Sequence, residues 1–302
     1  MRDCPQARLL PDGRRLHLQH GPIDLVVEAW GSRGAVAGAY AAAARRFETV
    51  LGELCGELPL LRQPALPGAR RCEGRIAQRM EAAVRPYAPR CFITPMAAVA
   101  GAVAEEVLGA MTGAADLDRA SVNNGGDIAL HLAPGASVAV GLVDRPDQPG
   151  LFGRAAIRAC DPVRGVATSG WRGRSHSLGI ADAVTILART AAEADAAATV
   201  VANAVDLPGH PAVRRAPADS LQPDSDLGSR LVTVAVGTLG PPEIGAALDA
   251  GAVCAEDLVA DGLIETAALH LQGVTRVVGP CREGAVAPLP ARLHRSETPA
   301  HA

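Results

Sequence analysis

Ser121-Val122-Asn123-Asn124-Gly125-Gly126-Asp127-Ile128-Ala129-Leu130-His131-Leu132 is the stretch on which the fold turns. Ile128, Leu130 and Leu132 alternate with polar or small residues, the period of a strand with one buried face. Asn-Gly and Gly-Asp are strong hairpin signals, so Asn124 to Asp127 read as a tight turn between strands. The same four residues allow a second reading. Two glycines permit positive φ and let backbone N–H groups face a ligand, while Asn124 and Asp127 offer an amide and a carboxylate to a nucleobase or sugar.

Outward from this point the period-two pattern continues. Ile128–Leu132 and Ser137–Val143 read as a hairpin across the turn Ala133-Pro134-Gly135, and Gly153–Cys160 with Gly165–Thr168 reads as another hairpin across Asp161–Arg164. Ala183–Leu187 is a further strand, and Thr190-Ala191-Ala192-Glu193 is a capping box that opens a helix running to about Val205. Residues 207–229, rich in Pro, Asp and Ser, read as a loop. Beyond them come a strand at Leu231–Val236, two helical stretches near Pro242–Leu248 and Ala255–Asp261, and strands at Ile264–Leu271 and Thr275–Val278. Upstream, Arg15–Gln19 and Ile23–Trp30 form a hairpin, followed by helices at about Ala35–Leu61 and Arg75–Tyr87. Thr94 suits an N-cap and Pro95 the first position of a third helix made of small residues. Hairpins punctuated by helix pairs predict an α+β fold with mainly antiparallel sheet.

Composition narrows the function classes. Apolar residues make up 48% and charged residues 20% of the 302, with a net charge of −3, the balance of a folded chain. Neither nucleic-acid binding nor a membrane span is expected, because the arginines are interleaved with acids and no long uncharged apolar run occurs. All 29 basic residues are arginine. Without lysine there is no Schiff base and no phosphate loop ending in Gly-Lys-Ser/Thr. The seven cysteines are scattered, which argues against a disulfide framework or structural zinc. The opening residues lack a signal-peptide core, and a cytoplasmic location is expected.

Two further segments can carry chemistry. Gly165 to Gly179 leaves a strand into hydroxyls, glycines, Arg172, Arg174 and His176. Such a loop either wraps phosphates through N–H groups and guanidinium forks, with His176 as a base, or is simply solvated. Asp195, Thr199 and Asn203 are spaced i, i+4, i+8 and form one polar stripe on an Ala/Val helix. A carboxylate and a hydroxyl one turn apart can share Mg²⁺; alternatively Asp195 serves the helix dipole and Thr199 bonds back to the residue-195 carbonyl. The N-terminus at Thr94 offers N–H groups to an anion, although Ala97, Ala98, Gly101 and Ala104 equally suit close packing.

In this order these motifs resemble the ApbE-like superfamily, closest to its branch of uncharacterised function. The resemblance covers roughly residues 15–280 and rests on Thr94-Pro95-Met96-Ala97-Ala98-Val99-Ala100-Gly101, Asn124-Gly125-Gly126-Asp127, Thr168-Ser169-Gly170 leading to His176-Ser177-Leu178-Gly179 and Ala181-Asp182-Ala183-Val184, and Ala194-Asp195-Ala196-Ala197-Ala198-Thr199. It implies a T-fold-like architecture with internal duplication: one domain over residues 1–282 in two halves, with a loop at 207–229 and a mobile tail over 283–302. It also implies Mg²⁺-dependent transfer of FMN from FAD to a hydroxyl acceptor, with AMP released. In that scheme Asp195 and Thr199 are the metal ligands. Thr94, Asn124, Gly125, Gly126, Asp127, Thr168, Ser169, Gly170 and Arg174 contact the cofactor, and His176 and Asp182 are the catalytic candidates. The transferases continue from their histidine into Ile-x-Asp-Pro, whereas His176 here runs into Ser177-Leu178-Gly179. Members of this branch occur where methanopterin-linked one-carbon metabolism does, so a pterin-binding protein of that metabolism is the alternative. The implied partners are a small nucleotide or pterin, a protein acceptor and a further copy of the chain; a purely structural subunit is the reading of a third class.

Overall fold

The computed structural model describes residues 4–67, 71–144, 150–280 and 286–288. The chain opens with three strands, β1 (Gln6–Leu9), β2 (Leu16–His20) and β3 (Ile23–Trp30), followed by the long helix α1 (Arg33–Leu61). Helix α2 (Arg75–Val84) and a short 3-10 turn at Pro95–Ala98 lead into α3 (Val99–Ala114). Five strands follow: β4 (Arg119–Asn124), β5 (Asp127–Leu132), β6 (Ser137–Val143), β7 (Leu151–Arg158) and β8 (Gly165–Ser169). Then come β9 (Ala183–Ala188), α4 (Ala191–Ala204), β10 (Val213–Pro217), the single turn α5 (Ala218–Leu221), β11 (Leu231–Val236) and α6 (Pro241–Ala260). Strands β12 (Thr266–Leu271), β13 (Val274–Val278) and β14 (Val286–Pro288) end the described chain.

Nine strands form one sheet in the order β1-β2-β3-β4-β5-β8-β9-β12-β13, and every pairing in it is antiparallel. The expected α+β class with a mainly antiparallel sheet is therefore what the chain adopts. The helices cover one face, where Leu18, Leu25, Val122, Ala129, Val184, Ile186 and Leu269 meet the apolar sides of α1, α3, α4 and α6. A three-stranded sheet, β14-β7-β6, covers part of the other face, so that Leu130, Val166, Ala183, Leu187 and Ala268 pack on Phe152 and Ile157. Strands β9 and β12 are buried at every position because both of their faces are covered.

Five expectations are corrected by this topology. Strands β5 and β6 do not pair with each other, because β5 lies between β4 and β8 while β6 pairs with β7 in the smaller sheet. Strands β7 and β8 do not pair with each other, since β8 lies between β5 and β9 while β7 joins the smaller sheet; the turn at Asp161–Arg164 is a crossover between layers. The segment 207–229 contains β10, which pairs with β11, and α5; the flanking Pro and Asp residues mask a five-residue strand. The two helical stretches after Pro241 are one helix, α6, whose buried Gly251 sits against Val205 and Leu269. Within the expected tail, Val286–Pro288 pairs with β7; the rest of 283–302 lies outside the described residues.

The run Pro95–Ala114 is long and apolar enough to cross a membrane by length and composition. It packs against α1, α2, α4, β4 and β5, the place of a core helix.

Candidate functional site

Helix α4 is the axis of the site. Thr190 caps it, its Oγ1 accepting from Glu193 N at 3.2 Å, and the Glu105 carboxylate of α3 accepts from Ala192 N at 2.7 Å. With its first-turn donors served, α4 buries a face made almost wholly of alanine. Small side chains let α3 come very close: a Cβ on Gly101 would overlap the Ala191 carbonyl. This approach delivers the Gly101 N–H to Asp195 Oδ2 at 3.0 Å.

The β4–β5 turn arrives from the sheet. Asn124 and Asp127 are register partners that close the hairpin, and Asn124 Nδ2 donates to the Ala100 carbonyl at 3.2 Å. Gly125 and Gly126 have φ of 67° and 118°, and Gly126 N donates to Asn123 Oδ1 at 2.9 Å. Asp127 Oδ1 accepts from Thr168 N on β8 at 3.1 Å. The Arg174 guanidinium lies against Gly125, where a Cβ would overlap it, and no hydrogen bond or ion pair from Arg174 is found among the described residues. The turn is thus a hairpin turn and also a meeting point of the three motif-bearing segments.

Two carboxyls share this space. Burial pushes Asp127 up to about 7, against the opposing pull of the Thr168 N–H and the Arg174 charge. Burial and then the charge of Asp127 push Asp195 up, against the N–H groups of Gly101 and Ala100. Both side chains are only half-buried, so a soluble ion can reach them. Two carboxylates that disfavour each other's ionisation form a cation-seeking pair. No group of three His, Cys, Asp or Glu side chains that could hold a metal occurs among the described residues. Two carboxylates with neutral oxygens nearby are of the donor type that suits Mg²⁺, an ion that keeps most of its waters.

Other expected residues stand apart from this pair. Thr94 is buried and donates to Asp226 at 2.5 Å, so its hydroxyl is spent on the 222–230 loop. Thr168 shares its hydroxyl with Thr185 at 2.8 Å and offers the site only its backbone. Ser169 is half-buried at the end of β8, and Gly170 is buried against the Asp182 carbonyl. Thr199 is half-buried one turn beyond Asp195 on α4, and Asn203 completes the stripe by accepting from Leu178 N at 2.9 Å. His176 is half-buried in the loop that Asn203 anchors, with no side-chain hydrogen bond among the described residues. Asp182, expected as a catalytic carboxylate, has both oxygens committed: Oδ1 accepts from Trp171 Nε1 at 3.1 Å and Arg172 Nε at 2.8 Å, and Oδ2 from Gln272 N at 2.7 Å.

Sequence reading does not reach Glu105 or Trp171. Glu105 carries no local signal, because its partners Ala192 and Arg79 are remote in the chain. Trp171 carries one, being one of two tryptophans in a chain with 2% aromatics.

The family described as AbpE bacteria matches residues 7–277. The UPF0280 protein of Methanopyrus kandleri is 41% identical over 129 residues, 42% of this chain and 48% of that protein. The UPF0280 protein of Methanococcoides burtonii is 38% identical over 133 residues, 41% and 51% of the two chains. The chain thus spans about half the length of the curated relatives it matches. Among solved structures, the apo flavinyl transferase ApbE of Pseudomonas stutzeri aligns at 12% identity and a TM-score of 0.40, covering 92% of this chain and 95% of that one. With a match across nearly its whole length, the chain belongs to the AbpE bacteria family.

Proposed function

We propose that the cleft between the β4–β5 turn, the β8 terminus and α4 binds a nucleotide-type cofactor, a flavin in the first instance, together with Mg²⁺, and supports flavin-transferase-like chemistry. The observation that carries this reading is the juxtaposition of Asp127 and Asp195 beside Arg174, which has no hydrogen bond or ion pair among the described residues. The two carboxylates suit a cation, and the guanidinium and the Gly125–Gly126 backbone suit the anion such a cation accompanies. Family membership and the order of the motifs support a flavin as the bearer of that anion.

In this reading Asp127 and Asp195 would hold the cation, with Thr199 one turn further along α4, and the cation would supply charge neutralisation at the pyrophosphate. Arg174 holds a phosphate oxygen. Asn124, fixed by Ala100, and Thr168, fixed through its backbone, set the distance between the turn and α4. The acceptor hydroxyl would attack the phosphorus on the FMN side, the bond to AMP would break, and the hydroxyl proton would pass to a base. His176 is the side chain we assign to that proton, since its imidazole makes no hydrogen bond among the described residues. Asp182 then serves as a clamp on the loop that carries Arg172 and Arg174.

We also infer an internal duplication of T-fold-like halves. With α2 and the β10-α5-β11 insertion set aside, the order β2-β3-α1-α3-β4-β5 recurs as β8-β9-α4-α6-β12-β13, and each half contributes four adjacent strands to the sheet.

The test is to incubate the purified chain with FAD and Mg²⁺ and follow FAD binding by calorimetry and AMP release by chromatography, with Asp195→Ala and Arg174→Ala alongside. Metal-dependent binding lost in both variants is expected. Binding indifferent to Mg²⁺ and to Asp195 would defeat the reading, and tight binding of a pterin in place of FAD would redirect it to the alternative ligand.

A further inference from the structure

We propose that Trp171 is the stacking platform for the planar ring of the ligand whose anionic part meets Arg174 and the Asp127–Asp195 pair; the inference rests on the cation-and-nucleotide reading of that cleft.

The residue is fixed by three contacts. Its backbone N–H donates to the Ala181 carbonyl at 3.0 Å, its indole Nε1–H donates to Asp182 Oδ1 at 3.1 Å, and the Arg172 guanidinium lies over the ring at 4.4 Å from its centroid. Arg172 is itself fixed by Nε to the same Asp182 oxygen at 2.8 Å. A half-buried indole with its polar edge satisfied and a cation on its ring is a rigid amphipathic surface. It sits between Gly170, which ends the β8 motif, and Arg174, the guanidinium over Gly125. One loop therefore carries both an anion receptor and, three residues earlier, an immobilised aromatic face, the pairing that a fused heteroaromatic ring joined to a phosphate requires. Trp30 provides the internal comparison. Arg119 lies over its ring at the same 4.4 Å, but Trp30 is at the far end of β3 from the Asn124 turn, with none of the site's residues beside it.

The experiment measures Kd for FAD, riboflavin and inorganic pyrophosphate in Mg²⁺ by calorimetry on the full chain and on Trp171→Leu, Trp171→Phe and Trp30→Leu. Trp171→Leu should weaken FAD and riboflavin at least about tenfold, and Trp171→Phe by less than about threefold, as expected for loss or retention of one stacked ring. Pyrophosphate affinity should be unchanged in all three, and Trp30→Leu should bind every probe as the unaltered chain does. Equal weakening of pyrophosphate by Trp171→Leu would mean a structural role and overturn the proposal. Unaltered FAD binding by Trp171→Leu would overturn the platform while leaving the cation-and-anion site intact. An unaltered chain that binds pyrophosphate but neither flavin overturns the platform alone, and one that binds none of the probes overturns the platform and the site together.

Discussion

Asp127 at the start of β5 and Asp195 in the second turn of α4 bring their carboxyls close enough that the charge of one raises the pKa of the other. Asp127 is also pinned by the backbone N–H of Thr168, and Asp195 by those of Gly101 and Ala100. Backbone donors alone do not neutralise either carboxylate, and two such groups near each other disfavour the folded chain unless something positive joins them.

Thermal stability should therefore depend on Mg²⁺. A ligand at a hundredfold excess over its Kd stabilises a fold by about 2.7 kcal/mol, which corresponds to a rise in Tm of roughly 5 °C for a chain of this size. Calorimetric scans with Mg²⁺ and with chelator should show that rise in the unaltered chain and none in Asp195→Asn. The metal-free Asp195→Asn protein should melt above the metal-free unaltered chain, because one carboxylate no longer opposes the other. A Mg²⁺ effect of equal size in both proteins would refute the assignment.

Gly101→Ala tests the approach of α3 to α4. The added methyl meets the Ala191 carbonyl, which belongs to a capped helix and cannot yield. Overpacking of this kind costs about 1 to 3 kcal/mol, and urea unfolding should show it. The variant should also lose the Mg²⁺-dependent rise in Tm, since the Gly101 N–H that orients Asp195 moves away.

Asp182→Ala separates the clamp from the chemistry. It removes the acceptor of Trp171 Nε1, Arg172 Nε and Gln272 N and should destabilise the fold by about 2 kcal/mol. The loop carrying Arg174 should then become sensitive to limited proteolysis, and FAD should bind more weakly while the Mg²⁺-dependent shift in Tm persists. A catalytic role would instead leave binding intact and abolish AMP release.

His270 gives the pH dependence. Burial holds its imidazole below the usual histidine value, opposed by the charges of Asp144 and Asp182. The ring stacks on Phe152 at 4.6 Å and bonds to Thr275 Oγ1 at 2.8 Å. A depressed histidine is neutral in the folded chain at pH values where the unfolded chain already binds a proton. Its contribution is thus complete above about pH 6.5 and declines as the pH falls toward the folded-state value. Urea unfolding at pH 7.5 and pH 5 should show the loss, and His270→Phe, which keeps the ring contact and cannot protonate, should show less of it. An equal loss in the variant would point to other groups.

The elements and their type were legible wherever one face of an element is buried and the other is not. Strand β4 alternates strictly in burial, as its sequence alternates, and the Thr190 cap lies where its hydroxyl and Glu193 placed it. Reading failed where a local pattern had two partners to choose from. Residues Gly153–Cys160 and Gly165–Thr168 look like a hairpin, yet Val166 is claimed by Ile128 and Leu187. Thr94 reads as an N-cap, yet its hydroxyl makes no cap hydrogen bond and goes to Asp226, from a loop with no periodic signal.

The amino-acid order by itself determined the antiparallel α+β class, the Gly125–Gly126 turn, the alanine helix and the absence of any lysine chemistry, since each follows from a period, a backbone allowance or a missing functional group. Tertiary structure alone decided which carboxylates meet. Asp127, Asp195 and Arg174 lie on three separate elements, and their convergence depends on how closely α3 can approach α4 across Gly101. Packing of that kind is a property of the assembled layers and leaves no pattern along the chain.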